Sequence, residues 1–179
     1  MNEPLLDAMA RGSRARDAAL RARVSPAGLF AAARRAPAAP PLHLDGFDLI
    51  AEVKRQAPSA GALAPLTDDG VDRAVSQAMT YAESGAAAVS VLTEPERFAG
   101  AMAHLEAVAA ALQPLGVPAM RKDFLVSPLQ VAEARVAGAG GVLLIVRMLE
   151  PDTLRRMRDL ALELGMFVLI EAFHADDLA

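Results

Sequence analysis

Residues 141–171 read GVLLIVRMLEPDTLRRMRDLALELGMFVLIE. The apolar run 141–146 is followed by an amphipathic stretch, 151–164, and Gly165 separates that stretch from a second apolar run, 166–171. Short apolar runs without polar alternation are typical of strands covered on both faces, and glycine often ends a helix. The segment therefore predicts a strand, a helix and a second strand, which is the repeating unit of a parallel sheet.

The same alternation extends upstream. Further apolar runs lie at 47–53, 87–92 and 117–121, and further helical stretches lie at 71–84, 102–112 and 128–137. An open doubly wound sheet and a (β/α)8 TIM barrel both have this pattern. A dinucleotide-binding sheet would carry a glycine-rich turn after its first strand, but residues 53–59 read VKRQAPS. We therefore favour an α/β fold of the (β/α)8 barrel type. A typical barrel needs about 250 residues, so we expect a partial barrel of about five βα units here.

The first 41 residues are organised differently. Loose helical spacing of apolar residues predicts a helix from Pro4 to about Arg23, and Ser25-Pro26 provides the cap and first position of a second, short helix. Three prolines within 36–41 predict an extended connector. We expect residues 1–41 to form a helical extension with its connector, and residues 42–179 to form the partial barrel.

Composition excludes several classes of function. The chain has 179 residues, 54% of them apolar, a net charge of −4 and no cysteine. The apolar content is typical of a globular protein, and the negative net charge gives no positive electrostatic field that would attract nucleic acid. The absence of cysteine excludes disulfides and thiolate chemistry. No run approaches the ~20 apolar residues that span a bilayer, and Glu3 lies where a secretory signal would be basic. We expect a cytoplasmic protein without a nucleic-acid or membrane partner.

Ionisable residues lie at the ends of the predicted strands: Glu52, Lys54, Lys122, Asp123 and Glu171. In a barrel these ends face the active site, and opposed acids and amines there shift one another's pKa values. Glu52 either points into a polar cavity or pairs with Lys54, which shares its face of the strand. Each residue also has a purely structural interpretation. Glu52 and Lys54 could form an ordinary ion pair at a solvated strand end, Lys122 could be a loop lysine, and Glu171 could cap a helix or lie at the edge of the core.

Other residues carry weaker signals. His43, His104 and His174 lack metal-ligand spacing, so we assign them structural or surface roles and expect no metal site. Phe98, Phe124 and Leu143 are either core residues or the apolar wall of a pocket for an aromatic substrate.

Four strings resemble the indole-3-glycerol phosphate synthase family: IAEVKRQAPSAG at 50–61, VSVLTE at 89–94 followed by FAG at 98–100, RKDF at 121–124, and EAR at 133–135 followed by VLLIV at 142–146. The resemblance covers essentially the whole chain, including the leading helices. It implies a carboxy-lyase of tryptophan biosynthesis that needs no metal or organic cofactor. The small-molecule substrate would be 1-(2-carboxyphenylamino)-1-deoxyribulose 5-phosphate, converted to indole-3-glycerol phosphate, carbon dioxide and water.

The resemblance also implies residue roles. Lys122 would be the general acid that polarises the ketone, and Glu171 would accept a proton in the later dehydration. Glu52 with Lys54 would orient the substrate and assist loss of the hydroxyl, with Lys54 also near the phosphate. The anthranilate ring would lie between the side chains named above as a possible wall, Phe98, Phe124 and Leu143, and Ser59 would bind substrate from the mobile loop after the first strand.

The sequence departs from the family pattern in places. Ala57, Ser127 and Leu129 replace a common Ser, Asp and Tyr, and the family's segments of the sixth to eighth strands, with their phosphate loops, have no counterpart. We therefore expect the 179-residue chain alone to be inactive and to self-associate through open sheet edges. A non-catalytic barrel fragment or interaction module is the alternative. Phosphoribosylanthranilate isomerase shares the fold, but would not be expected to carry Glu-x-Lys together with Lys-Asp-Phe.

Overall fold

Two helices lead into an alternation of strands and helices. The computed structural model describes residues 3–57, 61–63 and 70–178. The helices are α1 (Glu3–Arg23), α2 (Pro26–Arg35), α3 (Val71–Glu83), α4 (Pro95–Phe98), α5 (Met102–Leu112), α6 (Pro128–Val136) and α7 (Pro151–Glu163). The strands are β1 (Ile50–Val53), β2 (Gln56–Ala57), β3 (Gly61–Ala62), β4 (Ala88–Leu92), β5 (Ala119–Lys122), β6 (Gly141–Ile145) and β7 (Phe167–Glu171). Short 3-10 turns cover Gln113–Leu115, Val146–Met148 and Ala175–Leu178.

Five strands form one parallel sheet in the order β1-β4-β5-β6-β7, while β2 and β3 form a small antiparallel hairpin. Every pairing within the large sheet is parallel. The carboxyl ends of all five strands therefore lie along one edge. The predicted strand–helix repeat and the parallel sheet are confirmed.

The outward face of the sheet builds the main core. Val53, Val91 and Leu144 on this face are at most 3% exposed, and they pack in one cluster with Leu105 of α5 and Met157 of α7. Complete burial of such a side chain contributes about 1.5–3 kcal/mol. Because side chains alternate along a strand, the residues between these core positions lie on the opposite face of the sheet and do not belong to this core.

The first strand differs from its prediction. It begins at Ile50 and not at residue 47, and Phe47 is 97% exposed. The backbone N–H of Asp45 donates to the Asp48 carboxylate at 2.7 Å, which closes a turn where the sequence predicts a strand. Side-chain bonding of this type competes with strand pairing, so the apolar run alone predicted the boundary wrongly.

The leading helices pack against the barrel units. Ser25 caps α2 by accepting the N–H of Gly28 at 3.4 Å, and Pro26 is the first helical residue, as predicted. Ala33 of α2 belongs to the main core. Residues 36–41 contain neither helix nor strand. The division of the chain at residue 41 stays a prediction. Among the described helices, none has the length and apolar character needed to cross a bilayer.

Candidate active site

A cavity of about 200 Å³ opens at the carboxyl ends of the parallel strands. Acidic, basic and apolar side chains line it together. The lining residues are Glu52, Lys54, Leu92, Phe98, Lys122, Asp123, Phe124, Leu143, Ile145 and Glu171. Such a mixture of an apolar wall with a few ionisable groups is typical of a small-molecule site.

Strand register explains why these residues meet. Leu92 lies opposite Lys122 where β4 pairs with β5, and Ile145 lies opposite Glu171 where β6 pairs with β7. Each of these residues is the last of its strand. The parallel sheet thus gathers groups that are up to 119 positions apart, from residue 52 to residue 171, at one edge.

The Glu52 carboxylate joins two lysines. Its Oε1 accepts a hydrogen bond from Lys54 Nζ at 2.7 Å, and its Oε2 accepts one from Lys122 Nζ at 2.5 Å. The three side chains are a quarter to a third exposed, so both ammonium groups remain within reach of a ligand. This arrangement presents two proton donors that a single carboxylate holds in place.

Burial and hydrogen bonding oppose each other at Glu52. Burial acts to raise the pKa of this carboxyl, but the hydrogen bonds and positive charges of Lys122 and Lys54 outweigh it. The pKa of Glu52 therefore lies below its ordinary value, and the group stays a carboxylate at neutral pH.

Two phenylalanines form one wall of the cavity. The rings of Phe98 and Phe124 lie 6.2 Å apart between centroids and are tilted by 31°. Leu143 packs in the same apolar cluster, together with Leu6 and Met9 of α1. The leading helix therefore supports the wall, because two of its apolar side chains pack in the cluster that contains Phe124.

A buried carboxylate fixes the segment that carries Phe98. Glu94 is 1% exposed and accepts the backbone N–H groups of residues 96–98 at 2.7–3.2 Å. The chain then turns through Ala99, whose φ of 52° is left-handed. Gly100 follows so close to the strand that a Cβ atom there would lie 2.4 Å from the Leu92 carbonyl oxygen. This geometry requires glycine at position 100.

A second buried carboxylate fixes the segment after Lys122. Asp123 accepts hydrogen bonds from Arg16 at 2.8 Å, Thr93 at 2.9 Å, Arg121 at 3.1 Å and its neighbour's N–H, that of Phe124, at 2.8 Å. Burial acts to raise the pKa of Asp123, but the charges of Arg121 and Arg16 and these hydrogen bonds lower it below the ordinary value. The carboxylate therefore stays charged and saturated with donors, which holds the backbone on both sides of it.

The structure brings together most of the side chains that the sequence singled out. Seven line the cavity: Glu52, Lys54, Phe98, Lys122, Phe124, Leu143 and Glu171. The eighth, Ser59, lies outside the described residues. The pairing of Glu52 with Lys54 is present, but the additional bond from Lys122 was not expected.

Sequence reasoning missed two lining residues, Leu92 and Ile145, and it named Asp123 at a strand end without giving it a role in the site. Leu92 and Ile145 end their strands, so the rule that selected Glu171 could have found them. No sequence signal indicated that Arg16, on α1, reaches Asp123.

The histidines lie elsewhere. His104 is 3% exposed, and its Nδ1 accepts the Ala101 N–H at 3.2 Å. Within residues 3–57, 61–63 and 70–178, no group of three or more metal-ligating side chains is close enough to hold an ion.

Comparison with known proteins identifies the family. The model of the indole-3-glycerol phosphate synthase family matches residues 31–179. Proteins named indole-3-glycerol phosphate synthase are similar: one from a Nocardioides species is 52% identical over 70% of the chain and 45% of its own length. Relatives from Rhodococcus jostii and Mycobacterium ulcerans are each 44% identical, over 98% and 93% of the chain and over 63% and 60% of their own lengths.

The chain thus spans about half to two thirds of the length of these curated relatives. The family has the TIM-barrel fold, so the predicted fold class is confirmed. With the matched residues covering most of the chain, the protein belongs to the indole-3-glycerol phosphate synthase family.

Proposed function

We propose that the protein converts 1-(2-carboxyphenylamino)-1-deoxyribulose 5-phosphate to indole-3-glycerol phosphate. The observation that carries this proposal is the Glu52 carboxylate between Lys54 and Lys122, in a cavity whose wall is formed by Phe98 and Phe124. The reaction joins a ring carbon to a ketone, so it needs an apolar slot for the ring and a proton donor at the ketone oxygen. Both are present in the cavity.

Lys122 performs the first step in this proposal. Its ammonium donates a proton to the ketone oxygen while the ring carbon that bears the carboxylate attacks the ketone carbon. The carbon–carbon bond forms, the ketone oxygen becomes a hydroxyl, and carbon dioxide leaves as the ring regains its aromaticity. The hydrogen bond to Glu52 at 2.5 Å keeps Lys122 Nζ at the cavity side of the strand end before substrate arrives.

Loss of water completes the reaction. Glu171 accepts a proton from the five-membered ring as the hydroxyl departs, and Lys54 with Glu52 assists that departure by supplying the proton that turns the hydroxyl into water. Glu171 ends β7, two strands from β5, which supports a role on the side of the substrate away from Lys122. Splitting acid and base roles between separate groups allows both to act without exchanging protons with each other.

The apolar wall positions the anthranilate ring. Phe98, Phe124 and Leu143 offer apolar surface beside the charged groups, and desolvation of the site strengthens the attraction between the ammonium groups and the developing oxyanion. Ser59 is proposed as a further substrate-binding residue. The substrate's phosphate and carboxylate prevent passage through a bilayer, which supports action in the cytoplasm.

The direct test is turnover by the natural protein. Purified enzyme is incubated with the synthetic substrate, and indole-3-glycerol phosphate and carbon dioxide are measured together. We expect both to appear in equal amounts without added metal or cofactor. Phosphoribosylanthranilate, the substrate of the isomerase that shares the fold, serves as the matched control. Turnover of that compound and not of the first would overturn the proposal.

The sheet edges support a second candidate, an interaction module. In the described part of the chain, β1 and β7 each pair with one strand, and Leu169 and Ile170 of β7 are 40% and 45% exposed. Exposed apolar strands at an edge tend to pair with another chain. We propose that residues 1–179, expressed alone, associate through these edges. A monodisperse monomer in light scattering would contradict this.

A further inference from the structure

Arg16 lies on α1, and its guanidinium enters between two buried carboxylates. One Nη atom donates to Asp123 at 2.8 Å, and the other lies 3.7 Å from Glu94. The two carboxylate side chains are 0% and 1% exposed, while that of Arg16 is 26% exposed. A cation in this position reduces the repulsion between two negative charges that water does not screen.

Each carboxylate fixes the backbone of one phenylalanine of the aromatic wall. Asp123 accepts the N–H of Phe124 at 2.8 Å, and Glu94 accepts the N–H of Phe98 at 3.2 Å. A change in the distance between the two carboxylates would therefore change the distance between the two rings. A change at the shared cation would therefore reach both rings of the aromatic wall at once.

The partners of the two carboxylates differ. Asp123 also pairs with Arg121 at 3.1 Å. For Glu94, Arg16 is the only cation within 4.0 Å among the residues that the structure describes. Loss of the Arg16 charge would therefore leave Glu94 a buried anion held by backbone N–H groups alone.

We propose that Arg16 is a positioning residue that sets the spacing of Phe98 and Phe124, and thereby the seat of the aromatic ring of the substrate. This inference rests on the proposed synthase function. The residue does not line the cavity; it acts through Asp123 and Glu94 on the rings that do. The leading helix thus contributes to alignment of the reacting atoms and not only to stability.

Contacts other than those of Arg16 also dock α1. Ser13 is 0% exposed and accepts a hydrogen bond from Gln130 at 3.0 Å, Ser127 donates to Asp17, and Leu6 and Met9 pack in the apolar cluster that contains Phe124. A variant at position 16 should therefore keep the helix in place. The experiment can then separate the effect of the charge from the effect of undocking.

The test compares three variants in the natural protein. Arg16→Met keeps the unbranched stem of the side chain and removes the guanidinium, and Arg16→Lys keeps the charge. Arg14→Met removes an exposed arginine from the same helix and is the matched control. We expect Arg16→Met to lower kcat by about 10- to 100-fold with KM changed less than about threefold, because misplaced reacting atoms slow the chemical step. The kcat of Arg16→Lys should stay within about fivefold of that of the parent. The kcat of the control variant, Arg14→Met, should equal that of the parent.

Amide hydrogen exchange gives a readout that does not need activity. In Arg16→Met, exchange at the Phe98 and Phe124 amides should accelerate, while exchange in β6 stays at the parent rate. Equal acceleration in β6 would mean a general loss of stability and would overturn the inference, as would parent-like kcat together with parent-like exchange. A parent protein without synthase activity would instead refute the proposed function, and the exchange rates would still decide whether Arg16 holds the two rings.

Discussion

Replacement of Glu52 by glutamine tests the link between the two lysines. The carboxylate accepts one hydrogen bond on each oxygen, at 2.7 Å from Lys54 and 2.5 Å from Lys122. Glutamine has the same shape, but it carries one acceptor oxygen and an NH₂ group that cannot accept from an ammonium. At least one of the two lysines therefore loses its partner and its fixed position.

The structure gives a scale for the loss. A hydrogen bond to a charged group contributes about 1.5–3 kcal/mol, and the partial exposure of these side chains places the net effect at the lower end of that range. If the lost bond is what holds the proton donor at the ketone, the barrier rises by about 1.5–2 kcal/mol. That corresponds to a fall in kcat/KM of about 10- to 30-fold.

The assay is steady-state turnover of the natural protein, followed by the fluorescence of the indole product. Glu106→Gln, at an exposed position on α5, is the matched control. Because the pKa of Glu52 is lowered, the ratio between variant and parent should be constant between about pH 6 and pH 8. A Glu52→Gln variant with kcat/KM within about threefold of the parent would mean that Glu52 does not hold the proton donor in place.

Three further outcomes are expected. The pKa of Asp123 is lowered in the folded protein, so its charged form stabilises the fold above the unfolded pKa of about 4. Asp123→Asn should therefore have a lower free energy of unfolding than the parent. This difference should be constant from about pH 7 to pH 5 and shrink below about pH 4. A difference that grew toward acid pH would contradict this. Leu144→Ala empties a fully buried position and should cost about 2–5 kcal/mol in denaturant unfolding, against less than about 0.5 kcal/mol for the exposed Leu162→Ala; equal costs would count against the assigned core. Phe98→Ala should raise KM by roughly 3- to 10-fold because an aromatic contact is lost, and an unchanged KM would remove Phe98 from the wall.

Much of the sheet and of the cavity lining followed from two simple rules. Apolar runs separated by amphipathic stretches predict a parallel sheet, and in such a sheet all strands end at the same edge. Glu52, Lys122 and Glu171 end three different strands or lie near their ends, so the rules bring them together whatever their separation along the chain. Local pattern was sufficient here because one sheet edge collects the end of every strand.

The remaining features depend on contacts that no local pattern encodes. The bond from Lys122 to Glu52 joins residues 70 positions apart and depends on the register across three strands. The contact of Arg16 with Asp123 spans 107 positions and depends on how α1 docks. The start of β1 was predicted wrongly because an aspartate turn at 45–48 replaced strand pairing over an apolar run.

The proposed reaction depends on Lys122 as the acid, and Lys122→Met tests this role. Methionine keeps an unbranched side chain of nearly the same length and removes the ammonium group that donates the proton and pairs with Glu52. The kcat of the natural protein and the dissociation constant of the substrate are measured for parent and variant side by side. We predict that the variant binds substrate within about threefold of the parent and forms no detectable indole-3-glycerol phosphate. A kcat within about tenfold of the parent, which is only ~1.4 kcal/mol in barrier, would contradict the assignment of Lys122 as the acid.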